Sequence, residues 1–86
     1  MKTVVFAASK GVVGKTTLCA ALSAYAGAQT KKKVAIIDLD PQGSLTGWWN
    51  SREAEYPELI EANAGNLAET LQKAEAAGYA YVFVDT

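Results

Sequence analysis

"ASKGVVGKTTL", residues 8–18, decides how the chain is read, because it joins an apolar run to a helical pattern through two glycines and a lysine. The run before it, "TVVFAA" from Thr3 to Ala8, is continuous and rich in β-branched residues, as expected of a strand buried in a parallel sheet. After it, Leu18, Ala21, Leu22 and Tyr25 fall at i, i+3, i+4 and i+7, which predicts an amphipathic helix from Lys15 to Ala28 with those residues on its apolar side. Strand, glycine loop and helix therefore follow in order. Gly11 and Gly14 permit backbone conformations that aim successive N–H groups at one anion. The helix start adds its positive dipole end, and Lys15 a point charge. The spacing departs from G-x-x-x-x-G-K-S/T at one place, since Ser9 stands where the first glycine belongs. An ordinary strand-to-helix turn capped by threonine is the plainer reading of the same residues.

Further along, "KVAIIDLD" predicts a second buried strand from Val34 to Leu39, ending in Asp38 and Asp40 and stopped by Pro41, which has no N–H for a ladder. A short helix is expected from Ser44, with Leu45, Trp48 and Trp49 on its apolar side and Pro57 closing the segment. Glu58 to Ala62 reads as a short edge strand. Asn66 with Glu69 three residues on predicts a capping box at the start of a helix striped by Leu67, Leu71 and Ala74 and ending at Gly78. "YAYVFVD", Tyr79 to Asp85, is a third buried run. The order β-α-β-(short elements)-α-β implies an α/β fold, a parallel sheet with helical crossovers, in one domain over 1–86.

Composition narrows the function classes. The 86 residues are half apolar, and 8 basic against 9 acidic residues leave a net charge of −1. The largest basic cluster is Lys31 to Lys33, which reads as a solvated helix end, so nothing demands nucleic acid or an anionic membrane. There is no histidine, the commonest metal ligand and general base. The single Cys19 cannot pair within the chain and reads as a small packing residue; a cytoplasmic setting follows from that cysteine usage. The apolar N-terminal run is too short to span a bilayer. Trp48 and Trp49 are expected in a core or interface.

Ligands of open parallel sheets sit outside the carboxyl ends of the strands. In this chain those ends hold Ser9 to Thr17, Asp38 to Gln42, and Asp85. Asp38 and Asp40 by themselves could be solvated carboxylates, and Asp85, at the close of an apolar run, could bind magnesium directly or through water. Three strand-end signals in this order point together to phosphate and magnesium.

"SKGVVGKTT" resembles the deviant phosphate-binding loop K-G-G-x-G-K-T-T of the ParA/MinD family of partition and positioning ATPases. "DLDPQGS" resembles that family's second motif, and "YVFVDT" its Walker B strand. The D-x-D-P-Q run favours the ParA side. The resemblance implies a P-loop NTPase-like fold with ATP or ADP and Mg2+ as cofactors. It places Gly11, Val12, Val13, Gly14, Lys15, Thr16 and Thr17 around the phosphates. Lys15 would hold the phosphates and Thr16 would ligate magnesium. Asp38 would support the metal shell, Asp85 would complete the metal site, and Asp40 would orient the attacking water. Lys10 would be the signature lysine that reaches the partner's nucleotide across an ATP sandwich dimer.

Two departures qualify these implications. Val12 stands where the family has glycine, which is expected to impair the loop. Members of the family usually run to about two hundred residues or more, so the resemblance covers the N-terminal portion of such a domain. The surfaces for a ParB-like activator and non-specific DNA would lie elsewhere. Enzyme-level activity is not expected of these residues by themselves. The rival expectation is a non-catalytic fragment that persists as a self-associated dimer or larger α/β assembly, because the last strand would otherwise lack neighbours.

Overall fold

Four parallel strands form one sheet in the order β1-β4-β2-β3, so the last strand in sequence lies inside the sheet rather than at its end. In this computed structural model the described residues are 1–6, 15–30, 32–40, 43–52 and 57–86. The elements are β1 (Lys2–Phe6), α1 (Lys15–Thr30), β2 (Val34–Asp38), α2 (Ser44–Asn50), β3 (Glu58–Leu59), α3 (Leu67–Ala76) and β4 (Tyr81–Asp85). Parallel pairing is what the helical crossovers demand, and the predicted fold class holds.

Alternation along the strands sorts the core into two layers. Val34, Ile36 and Phe83 face Cys19 and Ala20 of α1 and Leu45 of α2. Ala35, Ile37, Val82 and Val84 face the other way, against Ala74 of α3 with Leu67 and Leu71 beside it. The sheet is thus covered by α1 and α2 on one side and by α3 on the other. Trp48 and Trp49 pack half-buried against the first layer, as expected, and Trp49 Nε1 donates to the Pro57 carbonyl at 2.8 Å. Cys19 is fully buried there, in keeping with a packing role.

Four expectations are corrected. The first strand is not buried: Val4 is 36% and Val5 55% exposed, because among the described strands β1 pairs with β4 alone and stands at the sheet's edge. Nor do Leu18, Leu22 and Tyr25 face the core; they are 53%, 41% and 65% exposed. The small Cys19, Ala20 and Ser23 meet the sheet instead, since small side chains let a helix approach closely, and this turns the larger residues outward. β4 does not lack neighbours, because β1 and β2 pair with both its edges; among the described strands the edges are β1, with its exposed valines, and β3. Asn66 stands at the N-cap of α3 but its side chain makes no cap bond. Its Oδ1 accepts from the Asn63 amide at 2.8 Å, while its own N–H donates to Asn63 Oδ1 at 3.0 Å. Glu69, the expected partner in the capping box, pairs with Lys73 one turn on.

The amino end of the sheet is tied together by contacts across the chain. Gly78, at φ 92°, closes α3: its N–H donates to Glu75 O and the Tyr79 N–H to Ala74 O, the double bond of a Schellman motif. Lys33 Nζ donates to Ala77 O at 3.1 Å and lies 4.4 Å from the centre of the Tyr79 ring, so it is not merely a solvated helix end. The Tyr79 hydroxyl in turn donates to the Glu58 carboxylate.

Candidate phosphate and magnesium site

Phe6, Asp85 and Asp38 stand side by side in one register row across β1, β4 and β2. Neighbouring strands lie about 4.8 Å apart, so this row gathers the carboxyl ends of three strands into a strip about 10 Å wide. Residues in register on parallel strands share a face, and here it is the face that α1 and α2 cover. α1, which begins at Lys15, packs on that face through Cys19 and Ala20.

The row is fastened by the chain that leaves it. Thr86 donates twice to the Phe6 carbonyl, from its N–H at 3.2 Å and its hydroxyl at 2.8 Å. The Leu39 N–H donates to Asp85 O at 2.8 Å. Both the loop after β1 and the loop after β2 therefore set out from points fixed on β4. Asp85 is fully buried and Asp38 half-buried.

Asp38 is the best-defined group. Its Oδ1 accepts the Asp40 N–H at 3.0 Å; its Oδ2 accepts both the N–H and the hydroxyl of Thr46, at 2.9 and 3.0 Å. Thr46 is the third residue of α2, so Asp38 satisfies one of the helix's otherwise unpaired amides from across the loop. Gly43, at φ 66°, sits at the N-cap with a conformation that suits glycine, and its N–H donates to Asp40 O at 2.9 Å. A cavity of about 110 Å3 beside Asp38 and Thr46, lined also by Leu59 to Ala62, is much smaller than a nucleotide pocket.

Of the predicted site residues, Asp38 and Asp85 are brought together, and Asp40 is attached to Asp38 through its amide. Thr17 is exposed in the first turn of α1. Lys10, Gly11, Val12, Val13 and Gly14, and the side chains of Lys15 and Thr16, lie outside the described residues. Thr46 and Gly43 were not legible as site residues in the sequence. The one available signal was an aspartate eight positions before a threonine at a doubtful helix start. Among the described residues no group of three or more His, Cys, Asp or Glu is placed to hold a metal ion. An oxygen set of one or two carboxylates with a threonine nevertheless suits magnesium, which is usually held by few protein ligands plus substrate phosphates.

Residues 4–83 match the CobQ/CobB/MinD/ParA nucleotide-binding domain. The chain belongs to this family. It is 42% identical over 79 residues to a maintenance of carboxysome distribution protein A of Gloeobacter kilaueensis, covering 90% of this chain and 34% of that protein. It is 46% identical over 46 residues to a virulence plasmid ParA family protein of Chlamydia psittaci, covering 54% of this chain and 18% of that one. To the chromosome-partitioning ATPase Soj of Treponema pallidum it is 49% identical over 45 residues, 52% of this chain and 17% of the relative. The chain thus spans about a third or less of the length of these relatives. Among the described residues no helix is long and apolar enough to cross a membrane.

Proposed function

We propose that this chain is the ATP-binding part of a ParA-like partition or positioning ATPase, cytoplasmic, in which hydrolysis is coupled to dimerisation of the whole protein. The observation that carries this reading is the register row that sets Asp85 and Asp38 beside the end of β1, with α1 packed on the same face.

In this reading the N–H groups of Gly11, Val12, Val13, Gly14, Lys15, Thr16 and Thr17 hold ATP or ADP by its phosphates, and the Lys15 ammonium adds charge. Thr16, Asp38 and Asp85 would hold magnesium. When bound, Mg2+ neutralises charge on the phosphate oxygens. Asp40 orients the attacking water, and Lys10 reaches the partner's nucleotide. The chain's own work is positioning and charge complementarity rather than covalent catalysis. Val12 is proposed to weaken the site: if the loop requires φ > 0 there, a β-branched residue would carry about 1 to 3 kcal/mol of strain, roughly a fivefold to hundredfold loss of affinity. A ParB-like activator and non-specific DNA are the proposed partners of the whole protein, by likeness to its relatives.

Calorimetry with magnesium-ATP tests the reading on three forms of the intact protein. Wild type should bind weakly, Lys15→Ala should lose the binding, and Val12→Gly should tighten it by the factor above and restore ATP-dependent dimerisation. Equal heats from wild type and Lys15→Ala would remove the nucleotide site.

A second reading, a non-catalytic self-associated assembly, is favoured by the open β1 edge with its exposed Val4 and Val5. An apolar unpaired strand edge is a template for another copy. A stable dimer or larger assembly without nucleotide would support it.

A further inference from the structure

We propose that Thr46 is a positioning residue for the Asp38–Asp40 pair: it fixes the orientation of the Asp38 carboxylate, and through it the backbone from which Asp40 acts. The inference rests on the functional reading above for what Asp38 and Asp40 do.

Each carboxylate oxygen offers two lone-pair sites. Oδ2 of Asp38 has both filled by Thr46, from the amide at 2.9 Å and the hydroxyl at 3.0 Å. Oδ1 accepts the Asp40 N–H at 3.0 Å, the one donor to that oxygen among the described residues. The carboxylate is therefore directed rather than merely present: one oxygen is committed to α2, and the other to Asp40 and the strand-end row.

Thr46 is itself held. It follows Leu45, which is fully buried, on a helix whose Trp48 and Trp49 pack against the core. The Gly47 N–H donates to Gly43 O at 3.0 Å, closing the first turn of α2 around it. The first turn of a packed helix thus presents a two-pronged donor, and among the described residues the Asp38 carboxylate accepts from that donor and from Asp40. Removing the hydroxyl leaves Oδ2 with one donor, so the carboxylate can turn and the Asp40 amide loses its fixed acceptor. Thr46 would touch neither phosphate nor water, so it acts through Asp38 alone.

Thr46→Val removes the hydroxyl but keeps the branched shape and the amide; Thr46→Ser restores the hydroxyl. In the intact protein Thr46→Val should keep magnesium-ATP affinity within about twofold, because phosphate binding rests on the loop after β1. In the Val12→Gly protein, where ATP-dependent dimerisation and hydrolysis are expected to be restored, adding Thr46→Val should lower kcat about tenfold at unchanged KM, the scale of one hydrogen bond to a charged group. Thr46→Ser should recover most of that loss. A second readout needs no nucleotide: the Asp40 amide resonance should shift in Thr46→Val and return in Thr46→Ser. A simple loss of helix stability would lower Tm and leave that resonance and kcat in place, and this result would overturn the proposal. Should Thr46→Val fail to fold, Thr46→Ala carries the same two expectations. If wild type proves unable to bind magnesium-ATP, the functional reading falls, while the Asp40 amide still decides whether Thr46 positions this loop.

Discussion

β1 and β4 are both five-residue, largely apolar strands, paired to each other residue for residue, yet β4 is buried along Val82 to Asp85 while β1 is exposed along Lys2 to Val5. The difference is position alone. β4 has β1 on one edge, β2 on the other, α1 on one face and α3 on the other, whereas β1 has one strand neighbour among the described residues and meets the α1 layer through Phe6. An apolar β-branched run states that a strand is suited to burial on both faces; it does not state which chain supplies the cover. The same lesson holds on α1, where Leu18, Leu22 and Tyr25 form a stripe at helical spacing that faces away from the sheet.

The largest effect that would sharpen this contrast comes from truncating one large side chain in β4. Phe83 is 5% exposed and stacks near Phe6 and Tyr81, so Phe83→Ala should cost about 3 to 5 kcal/mol. Val5→Ala, on the paired strand, should stay within about 0.5 kcal/mol. Denaturant midpoints of the two variants check this, and similar losses would show that β1 is covered after all.

A smaller effect is expected at the amino end of the same sheet. Gly78→Ala forces a residue with a Cβ into φ 92°, where nothing lies within 4 Å of the added atom, so the cost is backbone strain alone. About 1 to 2 kcal/mol is expected. Thermal unfolding measures it, and Gly78→Asn should lose less because asparagine tolerates the left-handed region.

The smallest effect on stability, with a clear effect on assembly, belongs to Val5→Lys. A lysine on an exposed edge strand leaves the fold intact and discourages pairing with a second copy. Sedimentation should show wild type associating at concentrations where Val5→Lys does not; identical profiles would mean that the β1 edge takes no part.

Most of the fold was legible because its signals are local and strong. The strand runs ending in Asp38 and Asp85 and the Leu67–Leu71–Ala74 stripe each landed in the predicted element. What was not legible depends on pairing order. Strand order β1-β4-β2-β3 assigns burial among runs that look alike, and no local pattern encodes it. The candidate site divides in the same way. Asp38 and Asp85 stood out because each closes an apolar run, whereas Thr46 stands within "SLTGWW" and acquires its role from a carboxylate eight residues away. Asn66 shows the converse error: a correct cap position with a side chain drawn to Asn63 by a closer pair of amides.

The contrast that matters most for function is between the two ends of the sheet, and amide chemical-shift mapping of the intact protein during a magnesium-ATP titration tests it most directly. The account predicts shifts at Thr17, Leu39, Asp40, Thr46, Asp85 and Thr86, around the carboxyl-end row. Lys33, Ala77, Gly78 and Ala80 at the amino end should stay unmoved. Shifts confined to the amino end, or a spectrum unchanged at millimolar magnesium-ATP, would contradict it.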